Sequence, residues 1–192
     1  MLLLELLIKT CKLKYTRLNI PDLIVFEPDI HFDDRGFFCE VFNERNFQHI
    51  IEKDIKFVQD NYSFSIKNVA RGLHYQLPPF SQGKLVTVLQ GEVLDFALDL
   101  RKSSPHFGKF EKVLLNDKDK NYFWIPEGFA HGFIVLSETA LFYYKVTNYY
   151  NKKLERSVNF KEIIKNTFNG KALKFSNKDL GADYFNFVEY FD

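Results

Sequence analysis

Cysteine, tryptophan, methionine and net charge are all scarce in this chain: 192 residues contain two Cys, one Trp and one Met, and the formal net charge is +1. Cys11 and Cys39 are too few for a zinc quartet or a disulfide framework, and they fit a reducing cytoplasm. A chain so close to neutral has no basic face for broad nucleic-acid binding, so an anionic partner has to be small and met by a few placed cations. No apolar run is long enough to span a bilayer. The opening Met1 to Ile8 is apolar, but Glu5 interrupts it, Lys9, Lys12 and Lys14 follow rather than precede it, and no small-residue cleavage site is visible. The expectation is therefore a cytoplasmic protein with no membrane partner, in which this opening adds a strand or a subunit contact. Proline-, glycine- or serine-rich linkers, internal repeats and low-complexity tracts are also lacking. Residues 1–192 thus read as one domain, with 1–15 as an extra N-terminal segment and 161–192 as a C-terminal extension of helical turns and a strand-like tail.

Aromatic residues are abundant, with 22 Phe and 10 Tyr. From Leu23 to about Phe160, short β-branched and aromatic runs alternate with turn residues: 23–26, 36–42, 56–65, 84–89, 93–100, 109–115, 121–125, 132–136 and 140–148. Gln90-Gly91 between two apolar runs signals a hairpin, and Pro78-Pro79, Ser103-Ser104-Pro105 and Pro126-Glu-Gly128 mark further turns. This pattern predicts an antiparallel, mainly β fold, either sandwich or barrel, with a jelly roll among the options. Asn43 to Lys53 predicts a short helix capped by Asn43, with Phe47, Ile50 and Ile51 on one face.

The chemistry concentrates in the strand-like stretch Asn61 to Gln76, which delivers Arg71 and His74, and in Pro126-Glu-Gly-Phe-Ala-His131, with Lys84 between them. A base beside an anion site, a second imidazole and an ammonium read as proton transfer at carbon next to a carbonyl, on a substrate bearing phosphate. Each residue also has a plain structural reading. His31, His49 and His106 read as structural histidines, Lys84 as a solvated strand-end lysine, and Arg35 in Asp33-Asp-Arg-Gly36 as a turn ion pair. Strand alternation allows only alternate tyrosines to face a cavity; Tyr144 and Tyr150 share one parity, and Tyr143 points away.

The P-x-G-x-x-H turn ending at His131 resembles half of the metal motif of the cupins, a jelly-roll superfamily. His74 is followed by Tyr75 and Gln76, so the H-x-H and carboxylate ligands are missing and no metal is expected. An ordered series of segments resembles the dTDP-4-dehydrorhamnose 3,5-epimerases over nearly everything after about residue 15. These are Asp-Asp-Arg35-Gly-Phe-Phe-Cys-Glu40, Gln59-Asp-Asn61, Arg71-Gly-Leu-His74-Tyr-Gln, Gly-Lys84-Leu-Val-Thr-Val-Leu-Gln-Gly-Glu-Val, Pro-Glu-Gly-Phe-Ala-His131-Gly-Phe, Tyr144-Lys-Val-Thr-Asn-Tyr-Tyr150, Glu155-Arg and Ser176-Asn-Lys178-Asp179.

The resemblance implies a cupin-type jelly-roll β-barrel with short peripheral helices, no cofactor and no metal. It also implies a homodimer with sites shared across the interface, acting on a nucleotide-diphosphate sugar. His74 matches the family's base, Asp179 its carboxylate partner, Tyr144 the acid on the opposite face and Lys84 the cation near the C4 oxygen, supported by His131. Arg71 matches the diphosphate contact, with Gln59, Asn61, Glu155 and Lys178 as further contacts. Arg35 and Glu40 match residues reaching the nucleotide from the neighbouring subunit, and Phe38 and Tyr150 are aromatic faces for the base, with a core position as the other reading of Phe38. The stretch Ser157-Val-Asn-Phe160 and the tail after Leu180 depart from the family pattern. A single-centre epimerase of another nucleotide-linked keto-sugar, such as a GDP-linked heptose, and a non-catalytic nucleotide-sugar-binding cupin are the alternatives.

Overall fold

The computed structural model describes residues 13–165, 168 and 172–192; Cys11 and the apolar opening at 1–8 lie outside the described residues. Two antiparallel sheets face each other. The larger runs in the order β1 (Lys14–Arg17), β2 (Ile24–Glu27), β10 (Tyr122–Ile125), β7 (Lys84–Gln90), β12 (Thr139–Val146) and β5 (Gln59–Ile66). The smaller runs β13 (Glu155–Ser157), β6 (Ala70–Gln76), β11 (Phe129–Val135), β8 (Glu92–Asp99) and β9 (Phe110–Asn116). A separate hairpin, β3 (Ile30–Asp33) and β4 (Gly36–Cys39), pairs with neither sheet. This is the expected mainly β, cupin-type jelly roll. The stretch 36–42, expected as one strand, is shorter because its pairing with β3 ends at Cys39. The run from Asn61 to Gln76 is two strands broken by a turn, not one.

Period-two alternation sorts the strand residues between interiors. Val86, Val88, Phe123, Ala140 and Phe142 of the larger sheet meet Val93, Ala97, Phe129, Phe133 and Val135 of the smaller one. The outer face of the larger sheet is covered by α1 (Glu44–Ile51), two residues shorter at its end than expected. Asn43 caps it by accepting a hydrogen bond from the Asn46 amide at 3.2 Å, and Glu52 ends it in the left-handed conformation at φ 59°. Its Phe47 is fully buried, edge-on to Trp124 with ring centroids 5.2 Å apart.

The C-terminal segment carries α2 (Phe160–Ile164), α3 (Asn177–Leu180) and a single 3-10 turn, Phe185–Phe187. It covers the other face of the smaller sheet, where Val158, Phe160 and Ile164 bury against Leu73, Phe96, Leu98 and Ile134. Each such side chain stabilises the docking by about 1.5–3 kcal/mol, and this docking is what delivers α3 to the end of β6. Gln90-Gly91, expected to close a hairpin, instead carries the chain from β7 of the larger sheet across to β8 of the smaller one, because these strands pair with other neighbours. Gly91 makes that turn with φ +85°, where a Cβ would lie 2.1 Å from the Thr139 carbonyl oxygen, so the glycine is required. Among the described residues no helix is long and apolar enough to cross a membrane.

Candidate active site

The site residues lie on both sheets, with His74 on β6 of the smaller sheet and Lys84 on β7 of the larger. His74 on β6 places its Nε2 2.6 Å from Oδ1 of Asp179 on α3, 105 residues away in sequence. Asp179 is almost fully covered, whereas 31% of the His74 side chain remains accessible, leaving the ring able to meet a substrate. Burial by itself raises the Asp179 pKa, but hydrogen bonding and charge from His74, with further hydrogen bonds at Ser176 and the Gly72 amide, bring it below the ordinary carboxylate value. An anionic carboxylate bound to one imidazole nitrogen fixes the tautomer and stabilises the imidazolium.

On the larger sheet Tyr144 shares the interior face of Phe142 and packs, partly buried, on the interior cluster. Burial raises its pKa, Arg71 opposes and Glu155 adds to the rise, so the phenol is a protonated donor at neutral pH. Tyr143 points to the other face, donating to Asp60 at 3.0 Å, as alternation predicted. Parity does not extend to Tyr150, because β12 ends at Val146 and the loop beyond it has no period.

The floor holds a charged group that the sequence reading described only in part. Lys84 is buried, not solvated: it shares the interior parity of Val86 and Val88, and its ammonium donates to the His74 carbonyl at 3.3 Å. Burial brings its pKa down to about 8, despite the attraction of Asp95 and Glu155. His131 pairs in register with His74, and its Nε2 lies 2.9 Å from the fully buried Asp95. Burial pushes the Asp95 carboxyl up and the His131 imidazole down, while their mutual attraction works against both. Asp95 was missed in the sequence, although a lone carboxylate in the apolar run Val93-Leu-Asp-Phe-Ala-Leu98 signals a buried group that needs partners. Among the described residues no group of three or more His, Cys, Asp or Glu is placed to hold a metal ion.

Polar side chains line the rim. Arg71 reaches across the sheets to the Ser65 hydroxyl at 3.0 Å. Asn61 is the β5 partner of Tyr144 and accepts from Gln59 at 2.8 Å, and Gln59 in turn accepts from the Tyr150 amide at 3.2 Å. The Tyr150 hydroxyl donates to Glu155 at 2.9 Å, and Lys178 meets the other oxygen of Glu155 at 2.5 Å. Burial alone raises Glu155, but these two donors bring it below its ordinary value. Gln76, to which no role was given, is buried and holds the turn that presents Tyr150: it donates to the Phe80 and Tyr149 carbonyls and accepts from the Asn151 amide at 2.6 Å.

Three expected site residues stand apart. Arg35 pairs with Asp33 at 2.5 Å at the tip of the β3–β4 hairpin. Phe38 is 70% exposed, which rules out the core position that was its other reading. Glu40 accepts from Asn43 at the start of α1. The chain on its own does not bring these three to His74.

A jelly roll that sets a His–Asp pair on one sheet and a partly buried tyrosine on the other, with a buried ammonium between them, defines a class: cupin-type sugar epimerases that move protons at carbon. Residues 17–186 match the family described as dTDP-4-dehydrorhamnose 3,5-epimerase, and the chain belongs to that family of isomerases. The dTDP-4-dehydrorhamnose 3,5-epimerase of Shigella flexneri is 47% identical over 180 residues, covering 90% of this chain and 96% of the relative. The enzyme of the same description from Salmonella typhimurium strain LT2 is 52% identical over 139 residues, 72% of this chain and 76% of the relative. The crystal structure of a dTDP-6-deoxy-D-glucose-3,5-epimerase from Legionella pneumophila, in complex with dTDP-4-keto-L-rhamnose, superposes with a TM-score of 0.87. It is 42% identical and covers 92% of this chain and 95% of that one.

Proposed function

We propose that the chain inverts C3 and C5 of dTDP-4-dehydro-6-deoxyglucose, giving dTDP-4-dehydrorhamnose. The observation that carries this reading is that the candidate base His74 and the candidate acid Tyr144 stand on opposite sheets of one cavity. Inversion requires removal of a proton from one face of a carbon and its return to the other. Both C3 and C5 adjoin the C4 ketone, so one enolate chemistry serves each centre in turn. His74 takes the proton, held in the right tautomer by Asp179; the C–H electron pair moves into the enolate and places negative charge on the C4 oxygen. Lys84, with His131 and Asp95 behind it, supplies a preorganised positive charge there, and removal of one such donor typically costs about 10²–10³ in turnover. Tyr144 then delivers its proton from the other side.

Arg71 is positioned for the diphosphate, with Gln59, Asn61, Glu155 and Lys178 around the nucleotide and Tyr150 as a face for the base. Arg35 and Glu40 act on the neighbouring subunit's nucleotide, and Phe38 is a second aromatic face for the base. Two features of the single chain support a dimer: the exposed aromatic hairpin carrying Phe32, Phe37 and Phe38, and the exposed Tyr62, Phe64 and Ile66 on the edge strand β5. The test is NMR of dTDP-4-dehydro-6-deoxyglucose incubated with the protein in deuterium oxide. Deuterium at both C3 and C5 with formation of the rhamno product is expected, and exchange confined to one carbon would make the enzyme a single-centre epimerase.

A further inference from the structure

Arg71 and His74 are three residues apart on β6, and alternation along an unbroken strand sends such residues to opposite faces. The pairing shows why both face the cavity. On the neighbouring strand β11, Phe133 and His131 are two residues apart and share the interior face; their β6 partners are Arg71 and His74. One extra residue is therefore inserted into β6 between these partners, a bulge that resets the alternation. The side chains confirm the reset, since Ala70, Leu73 and Tyr75 all pack on the outer cluster under the C-terminal segment.

Glycine makes this insertion possible. Gly72 has φ +119°, and a Cβ there would lie 2.6 Å from the Gly132 Cα and 2.7 Å from the His131 carbonyl oxygen. Gly132 answers from the other strand, where a Cβ would lie 2.4 Å from the Arg71 carbonyl oxygen. The Gly72 backbone makes the smallest of the contributions that lower the Asp179 pKa. The His74 ring that the insertion sets on the interior face meets Asp179 at 2.6 Å.

We propose that Gly72, braced by Gly132, is a positioning residue for the reaction: its bulge sets the base on the face of the diphosphate-binding arginine, where the Asp179 carboxylate can hold it. This rests on the function proposed above, and it adds a backbone element to the machinery.

The test is a double-mutant cycle of Gly72→Ala and Asp179→Asn, read as turnover with dTDP-4-dehydro-6-deoxyglucose and as dTDP affinity by calorimetry, with circular dichroism to confirm folding. Misplacing a reacting group by about 1 Å costs about 10²-fold, so Gly72→Ala is expected to lower kcat by about that factor with a much smaller change in dTDP affinity. The two substitutions are expected to be strongly non-additive, because each interrupts the same link. Additive effects, or a loss confined to dTDP affinity, would overturn the proposal.

If Gly72→Ala does not fold, the wild-type Gly72 amide resonance carries the test: it is expected to shift markedly in Asp179→Asn. A Gly72 amide indifferent to that substitution would equally overturn the proposal. These resonances are read without substrate, so a wild-type chain inactive on this sugar would defeat the functional reading and leave the positioning claim to its own result.

Discussion

Replacing Lys84 by Met should make the protein more stable and less active. The ammonium sits in the inter-sheet interior, where burial lowers its pKa from the ordinary 10.5 to about 8. An unfolded chain holds that proton more tightly, so at pH 7 the buried charge opposes folding by roughly 3 kcal/mol. The penalty is full below pH 8 and fades as pH rises toward 10.5, where the lysine is neutral in both states. Met has a similar length and no charge, so the variant should gain up to about 3 kcal/mol at pH 7. In a chain of this size that raises Tm by roughly 6–12 °C. In the proposed mechanism the same charge stabilises the developing enolate oxygen, so turnover should fall by about 10²–10³ while substrate affinity changes little. Wild-type turnover should also decline as pH rises through about 8, as the ammonium is lost. The assays are calorimetric melting at pH 7 and 10, and steady-state kinetics across that range. A variant that melts at or below the wild-type temperature and loses only affinity would refute both halves of the reasoning and reassign Lys84 to the diphosphate.

Tyr144→Phe keeps the ring and removes the donor, so it should still wash deuterium into substrate while forming little doubly inverted product; a larger defect in Tyr143→Phe would mean the wrong face was chosen. Asp179→Asn should lower turnover by roughly 10–10²-fold, less than loss of the base itself, and leave dTDP affinity intact in calorimetry. Arg35→Ala should weaken dTDP binding in a protein that sediments as a dimer, and a fully active monomer would contradict a site shared between subunits.

Much of the architecture was legible because alternation and turn residues report strands directly, and the Asn43 cap with Phe47 on one face reports α1. The short strands β1 and β13 escaped because their residues, KYTR and ERS, are mostly polar, whereas the equally short β2 and β10 were marked by apolar and aromatic runs. His74 and Asp179 were paired through family resemblance alone, since nothing local links residues separated by 105 positions. The bulge was hidden because alternation assumes an unbroken strand, whereas Gly72 breaks it between the two residues that matter. Parity failed for Tyr150 for the opposite reason: the strand had already ended, and Gln76 holds the loop instead. Lys84 read as solvated because strand position does not reveal the carboxylate that faces it from another sheet. Arg35, Phe38 and Glu40 remain away from His74 in a single chain, paired with Asp33, exposed and bound to Asn43 respectively.

The central claim is that His74 is the base for both centres. The direct measurement is NMR of solvent deuterium entering C3 and C5 of dTDP-4-dehydro-6-deoxyglucose in the presence of His74→Asn. Base catalysis contributes about 10²–10⁴-fold, so exchange at both carbons should fall together by at least that order while dTDP still binds. Exchange persisting at either carbon at the wild-type rate would show that another group removes that proton and would contradict the account.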